Sequence, residues 1–328
     1  MNILVNASAA SEGGALTILD AYISSKCNSL DHFYVLSPKK PIASSNVTWL
    51  KIETHGISTF MFTILFVSYF YIKFGCNKLI SFNNLNTCIP FINRVTYFHN
   101  LLIFSDSELK YKIIRFSIKY LNQRGSHYIF QTSFVKDSFI NAFHFSPSCN
   151  VCWPGVNIKS LKNDDNSNLH GIIDFRRGDY KLNIVWPASN IKLQHKNFDF
   201  LFQLASKLND VHFFVPADSD VNYVRKNISF LGPMKQKDFI NLLGCSDGVI
   251  VTSTLETVCL PIFEAINLNK QAFVLNQPYL DGIFDAFPKI KGLQVFNTIN
   301  EAVDIINNID VNHSFKNDMG FYFGNWEF

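Results

Sequence analysis

Val249-Ile250-Val251-Thr252-Ser253-Thr254-Leu255-Glu256-Thr257-Val258-Cys259-Leu260-Pro261-Ile262-Phe263-Glu264-Ala265 is the stretch that decides how this chain is read. It opens as a continuous β-branched run, the pattern of a parallel strand buried on both faces. A short loop follows, then a proline and an apolar segment. Proline suits the first helical turn, where its missing N–H would have no intrahelical partner, and an open helix N-terminus attracts anions. The stretch therefore predicts a strand, a ligand loop and a helix start, with room for a phosphate between two carboxylates, Glu256 and Glu264. A βα unit carrying two solvated glutamates is the alternative.

Outward from that unit the same alternation recurs. Strand candidates in the first half are 2–7, 33–36, 48–52, 78–81, 94–98 and 127–131, and in the second half 183–186, 211–215, 228–231, 248–252 and 271–275, with helical stretches between. Such alternation predicts an α/β fold with a doubly wound parallel sheet. Two series predict two Rossmann-like domains, residues 1–157 and 158–310, with 311–328 as a terminal segment. The polar run 160–169 reads as a solvated loop just after the border.

Composition narrows the class. A chain of 328 residues has room for two domains of ordinary size. Its 29 basic and 26 acidic residues leave a net charge of +3, with the basic residues scattered, which argues against a nucleic-acid partner. Seven cysteines, an odd number in a long chain, fit the reduced thiols of a cytosol better than a disulfide framework. Cys149 and Cys152 form a lone C-x-x-C without a second pair at zinc spacing, an incidental pair at a domain border. Met1-Asn2-Ile3-Leu4-Val5 is a strand signal with no basic region or cleavage site, so no signal peptide is expected. Residues 54–72 carry no charged side chain and include the strongly apolar run 60–72. A spanning helix needs about 20 mainly apolar residues, a length met here only by counting His55, Gly56, Ser58 and Thr59. The run reads as a helix of the first domain; an outer face touching a bilayer and a true span are the alternatives.

Ligands in open α/β sheets bind beyond the carboxyl ends of the strands, which selects further candidates. Gly13 and Gly14 follow the first strand and let the backbone approach a bulky ligand, although they do not form a dinucleotide fingerprint. His99, in Tyr97-Phe98-His99-Asn100, ends another strand; a structural histidine is the alternative. Ser133 reads as a helix N-cap. Lys196, in His195-Lys196-Asn197-Phe198, stands in a first helical turn, a place the macrodipole disfavours unless an anion is bound. Asp218-Ser219-Asp220 invites a divalent-metal reading, but an Asp-Ser-Asp loop after a strand is ordinary turn chemistry.

Written as a pattern, the opening stretch is E-x7-E followed by Ala, and it resembles the signature of the retaining nucleotide-sugar glycosyltransferases of family 4, which have the GT-B fold. The resemblance continues in family order along nearly the whole chain. Gly13-Gly14 resembles the glycine pair that faces the nucleotide diphosphate and acceptor, and His99, with Asn100 beside it, the histidine that reaches over the donor sugar. Trp153-Pro154-Gly155-Val156-Asn157 is similar to the family's Pro-Asn-Gly-Val-Asp entry to the second domain, with one residue missing and Asn in place of Asp. Trp186-Pro187-Ala188 and His195-Lys196-Asn197 resemble a Pro-Ala and His-Lys-Asn variant of the donor site, in which the usual arginine is absent. Phe230-Leu231-Gly232-Pro233 looks like the glycine loop under the nucleobase.

The resemblance implies two Rossmann-like domains facing each other across a cleft, and a retaining glycosyltransferase of hexosyltransferase type. It implies a nucleotide-sugar donor and a glycan or lipid-linked saccharide acceptor, in O-antigen, capsule or other surface-polysaccharide and lipopolysaccharide assembly. Glu256 and His99 would be the catalytic pair. Gly13, Gly14, Lys196, Leu260 and Glu264 would bind the donor, Lys196 and the amides near Leu260 at its diphosphate and Glu264 at the ribose hydroxyls. No metal or other cofactor is expected. The implied place is the cytoplasm, at the inner face of a bacterial membrane, with the apolar first domain in peripheral contact. The aromatic segment 319–328 is expected to return to the first domain. A non-catalytic sugar-nucleotide-binding partner and a GT-B-fold nucleotide-sugar epimerase are the alternatives.

Overall fold

Short apolar strands that alternate with helices can pair in parallel, because each intervening helix supplies the crossover that parallel pairing requires. Every described strand pairing in this protein is of that kind. The structure, a computed structural model, describes residues 1–11, 13–41, 44–156, 179–310, 317 and 319–328. The chain divides into two compact units, Met1–Gly155 with Phe323–Phe328, and Val156–Tyr322. Asn157 and the polar run 160–169 lie outside the described residues.

The first unit is built on β1 (Asn2–Asn6), β2 (His32–Ser37), β3 (Val47–Lys51), β4 (Lys78–Ser81), β5 (Arg94–Phe98), β6 (His127–Phe130) and β7 (Cys149–Val151), in the order β3-β2-β1-β4-β5-β6-β7. The second holds β8 (Leu182–Val185), β9 (Val211–Val215), β10 (Ile228–Phe230), β11 (Gly248–Val251), β12 (Gln271–Leu275) and β13 (Leu293–Phe296), in the order β10-β9-β8-β11-β12-β13. Both sheets are doubly wound α/β sheets, as the alternation predicts. Strand order reverses at β1/β4 in one and at β8/β11 in the other, the points where such sheets open a crevice beyond their strand ends. The edge strands β7 and β13 are absent from the sequence reading: Cys149-Asn150-Val151 is half exposed and lacks a β-branched run, and Leu293-Gln294-Val295 is only partly covered.

The apolar run 54–72 folds as a helix of the first unit. Two α-helical parts, Ile57–Met61 and Val67–Lys73, flank a π-helical turn, Phe62–Phe66. A π turn releases carbonyls from the regular ladder. Here the Ile64 carbonyl accepts from the Thr87 hydroxyl at 2.9 Å and the Cys88 N–H at 3.2 Å. The inner face buries Thr63, Ile64 and Val67, while Ile57, Met61, Leu65, Phe66, Tyr69 and Ile72 are exposed. Among the described residues no helix is long and apolar enough to cross a membrane. The helix Ser133–Phe143 corrects a sequence expectation. Thr132, in extended conformation, is its N-cap and accepts from the Val135 N–H at 3.3 Å, while Ser133 is already helical.

The final residues pack within the first unit. Trp326 and Phe328 lie against Tyr22 with ring centroids 5.6 and 5.4 Å away, and Trp326 also meets Tyr97 at 5.9 Å. Lys26 Nζ donates to the Trp326 carbonyl at 2.6 Å, and the Asn325 N–H donates to the Trp153 carbonyl at 2.9 Å. Where these segments cross, a Cβ on Gly155, whose φ is +71°, would stand 2.3 Å from the Gly324 nitrogen, so only glycine fits. Truncating a buried tryptophan to alanine costs about 3–5 kcal/mol. Trp326→Ala is expected to lower stability by that order in denaturant unfolding followed by first-unit probes; a loss under about 1 kcal/mol would show that the segment is an ornament rather than part of this core.

Candidate functional site

The carboxyl ends of β8 and β11 are joined by a chain of hydrogen bonds. The buried Trp186 indole N–H, just past β8, donates to Thr252 Oγ1 at 2.8 Å, and that hydroxyl donates to the Lys196 carbonyl at 2.8 Å. The Thr254 N–H donates to the His195 carbonyl at 2.8 Å. Lys196 ends the 3₁₀ turn Gln194–Lys196, and Asn197, in the left-handed conformation, turns the chain into the helix Phe198–Ala205. The loop after β11 thereby fixes the backbone that carries Lys196.

Lys196 Nζ lies 2.5 Å from Glu256 Oε1, with the two side chains 22% and 16% exposed. Burial disfavours the Lys196 ammonium, but Glu256 and Cys259 more than offset this and hold its pKa above the ordinary lysine value. A paired charge of this kind is stable only while its partner stays. Beyond the pair comes Cys259, with φ +55°, a conformation uncommon outside glycine and asparagine. It stands at the N-cap of the helix Leu260–Asn267, where Pro261 occupies the first turn and no side chain caps the helix. Burial, with the Glu256 charge added, pushes its thiol well above the ordinary range.

Glu264 sits further along this helix and is 3% exposed. Gln236 Nε2 donates to its Oε1 at 2.6 Å from the start of the helix Gln236–Cys245. Burial raises the Glu264 carboxyl to about 7, and the Gln236 hydrogen bond partly opposes this. The glycine loop before that helix has Gly232 at φ +74°.

The structure thus gathers Lys196, Glu256, Leu260 and Glu264 on the carboxyl-end side of the central strands β8 and β11. In the first unit, Gly13 and Gly14 begin the helix Gly13–Ser25 just beyond β1, Gly13 with φ +62° and both with open space where a Cβ would point. Glu12 beside them lies outside the described residues. His99 follows β5, and its N–H donates to Asn84 Oδ1 at 2.8 Å. Burial lowers its ring to about 4, with the Tyr97 backbone opposing, so the imidazole is neutral at pH 7. At the β1/β4 reversal, Asn83 Nδ2 donates to Ser8 Oγ at 3.1 Å and Thr63 Oγ1 at 3.0 Å, and Asn6 Nδ2 to Thr63 Oγ1 at 3.2 Å. Gln236 and Asn83 are absent from the sequence candidates, and Trp186 and Thr252 stand in the quoted segments without a role of their own; amides and hydroxyls carry no spacing pattern, and the available signal was Asn6, an amide ending an apolar strand. Asp218-Ser219-Asp220 is a turn, in which Asp220 Oδ1 accepts from the Asn222 N–H at 3.0 Å and its side-chain amide at 2.9 Å. Among the described residues no group of three His, Cys, Asp or Glu side chains is placed to hold a metal.

No protein-family model and no curated protein sequence matches this chain. Solved structures do. WaaG, a glycosyltransferase involved in lipopolysaccharide biosynthesis, superposes with a TM-score of 0.62 over 95% of this chain and 96% of its own, at 12% identity. HepE of Anabaena, in complex with UDP-glucose, gives 0.65 over 94% and 89%, at 15% identity. A glycosyltransferase from Rickettsia africae gives 0.65 over 93% and 86%, at 14% identity. The fold is GT-B. At such identities the likeness speaks for the fold.

Because the folded protein holds the Glu264 proton up to about 7, against 4.5 for an ordinary glutamate, its stability falls as pH rises through that window. Glu264→Gln removes the loss. Thermal melts of the ligand-free protein are expected to coincide near pH 4 and to favour the variant at pH 8.5 by on the order of 3 kcal/mol. Coinciding melts at pH 8.5 would mean that the carboxylate anion is not disfavoured there.

Proposed function

We propose that this chain is a retaining glycosyltransferase, moving a sugar from a nucleotide-sugar to a glycan or lipid-linked saccharide in surface-polysaccharide assembly of the O-antigen, capsule or lipopolysaccharide type. The observation that carries the reading is the Lys196–Glu256 pair beside an uncapped helix start, with Glu264 buried further along that helix, at the carboxyl ends of the central strands of a GT-B sheet. That HepE was crystallised with UDP-glucose supports a UDP-sugar as first donor to try.

On this reading the second unit holds the donor. The Lys196 ammonium and the Leu260 amide meet the diphosphate and stabilise the charge that develops as it departs. Glu264 accepts from the ribose hydroxyls, and Glu256 contacts the transferred sugar. Gly13 and Gly14 leave space for the donor and acceptor at the first sheet's edge, and His99, being neutral, serves as a hydrogen-bond partner to the sugar and not as a cation. The reaction is a same-face displacement: the bond from the anomeric carbon to the acceptor oxygen forms as the bond to phosphate breaks, and the leaving phosphate takes the acceptor's proton. Rate comes from positioning and electrostatics, with no metal or other cofactor assigned a part.

Membrane contact at a cytoplasmic face belongs to the same proposal. Between residues 54 and 136 the acidic side chains are Asp106 and Glu108 alone. Exposed Phe66, Tyr69 and Ile72 lie on one helix, and exposed Leu109, Phe116 and Tyr120 on the helix Leu109–Tyr120, which also carries Lys110, Lys112 and Lys119. Apolar anchors beside Lys112 and Lys119, with Lys110 paired to Glu108 at 2.7 Å, suit an anionic bilayer carrying the acceptor.

Calorimetry with UDP, GDP, dTDP and their sugar conjugates tests the donor site: one nucleotide class is expected to bind wild type and to lose at least tenfold in affinity on Glu264→Ala, about 1.4 kcal/mol. A folded protein that binds none of them, with or without membrane extract, sinks the transferase reading. For the membrane face, Phe66→Ser, Tyr69→Ser and Ile72→Ser together are expected to cut flotation with anionic vesicles several-fold while leaving UDP binding alone. Unchanged flotation of the folded variant would remove that face from the proposal.

A further inference from the structure

The two glutamates of the β11 loop and helix have different partners. Lys196 is committed to Glu256. Glu264, among the described residues, is hydrogen-bonded by the neutral amide of Gln236 at 2.6 Å. Among the described residues, the helix Leu260–Asn267 packs on β11, β12 and the helix Gln236–Cys245, and through Phe263 on Phe287 and Phe321, which are not titratable. β11 and β12 carry no titratable side chain, and the facing helix carries Lys237, Asp238 and Cys245. From the helix's own N-terminal side comes Cys259, whose thiol is kept protonated by burial and by the nearby charges of Glu256 and Glu264. Tyr279, whose hydroxyl is pushed up by burial and then by Cys259 and Glu256, stays neutral. Among the described residues, the contact that favours a negative charge on Glu264 is the Gln236 amide.

We infer that Gln236 is a positioning residue for nucleotide binding: its hydrogen bond favours the ionised Glu264 carboxylate and holds it turned, with one oxygen engaged and the other left for a ribose diol. The inference rests on the donor-site reading given above. An ionised carboxylate offers about four acceptor positions on two oxygens, and protonation turns one of them into a donor. A diol brings two O–H donors, so it is matched by the anion. Binding of a ribonucleotide then takes up the ionised form and releases a proton wherever the free protein still holds one, which makes the affinity fall as pH drops below neutrality. Gln236 stands half-buried at the start of its helix, just after the Gly232 loop. Its loss withdraws the hydrogen bond that favours the anion and shifts the requirement for ionisation to higher pH.

The test is calorimetry with UDP from pH 5.5 to 9 on the full chain, comparing wild type, Gln236→Met, Gln236→Asn and Glu264→Gln. Wild-type affinity is expected to fall by up to about tenfold per unit below neutrality. Gln236→Met, which keeps the side-chain length, should retain the alkaline affinity within about threefold while moving the midpoint up by about a unit. Gln236→Asn, too short to reach, should behave alike, and Glu264→Gln should bind weakly at every pH without a midpoint. A uniform loss in both Gln236 variants with an unmoved midpoint would overturn the inference, because that is what a merely structural residue gives. Carboxyl ¹³C NMR of the ligand-free protein follows Glu264 itself and separates the two readings. An unmoved Glu264 titration in Gln236→Met refutes the role of Gln236 while leaving a nucleotide site intact. A moved titration in a protein that binds neither UDP nor GDP refutes the ribose role together with the donor-site reading.

Discussion

A single ion pair between Lys196 and Glu256 sets the terms of the second unit. Lys196 belongs to Glu256, and the turn that carries it is tied by Thr252 and Thr254 to the end of β11. Placing an ammonium and a carboxylate together in a half-buried site is tolerable because each cancels much of the other's cost. Glu264 has no such arrangement and is held by an amide. The loop before this helix therefore carries a paired charge, and the helix itself a buried carboxylate held by an amide, an arrangement costly to the fold.

In the first unit a comparable economy appears in the helix that runs from Ile57 to Lys73. Its inner hydroxyl, Thr63, joins Asn6 and Asn83 at the reversal of strand order, and its π turn lends the Ile64 carbonyl to the loop at Thr87 and Cys88. Its outer side is apolar and uncovered. A regular α-helix keeps its carbonyls for itself, so the π turn is what lets one element both brace the loop before β5 and present a separate outer face.

The sequence made the architecture legible where the physics is collective. Continuous β-branched runs such as Val249–Val251 read as buried parallel strands, and the order of helices and strands then leaves few topologies. Edges were illegible for the converse reason: β7 needs little burial, so Cys149-Asn150-Val151 carries little pattern. At helix Ser133–Phe143 two adjacent hydroxyl residues both qualify as caps, and only the backbone conformation of Thr132 separates them. Lys196 and Glu256 were each legible as candidates, but their pairing across 60 positions was not. Gln236 left no trace at all, since a glutamine at a helix start is ordinary until something buried faces it.

The aromatic end segment has a consequence for how the protein is made. The first unit is discontinuous: residues 1–155 leave the ribosome early, but Trp326 and Phe328 arrive only after the whole second unit has been synthesised. At about 5–20 residues per second that interval is roughly ten to thirty seconds. Throughout it, the faces of Tyr22 and Tyr97 that the end segment will cover stay open, and Lys26 lacks the carbonyl it will bind. The first half of the chain therefore waits, part-finished, for the last few residues to be added, and nascent chains stalled before position 323 carry a first unit with an uncovered aromatic seam.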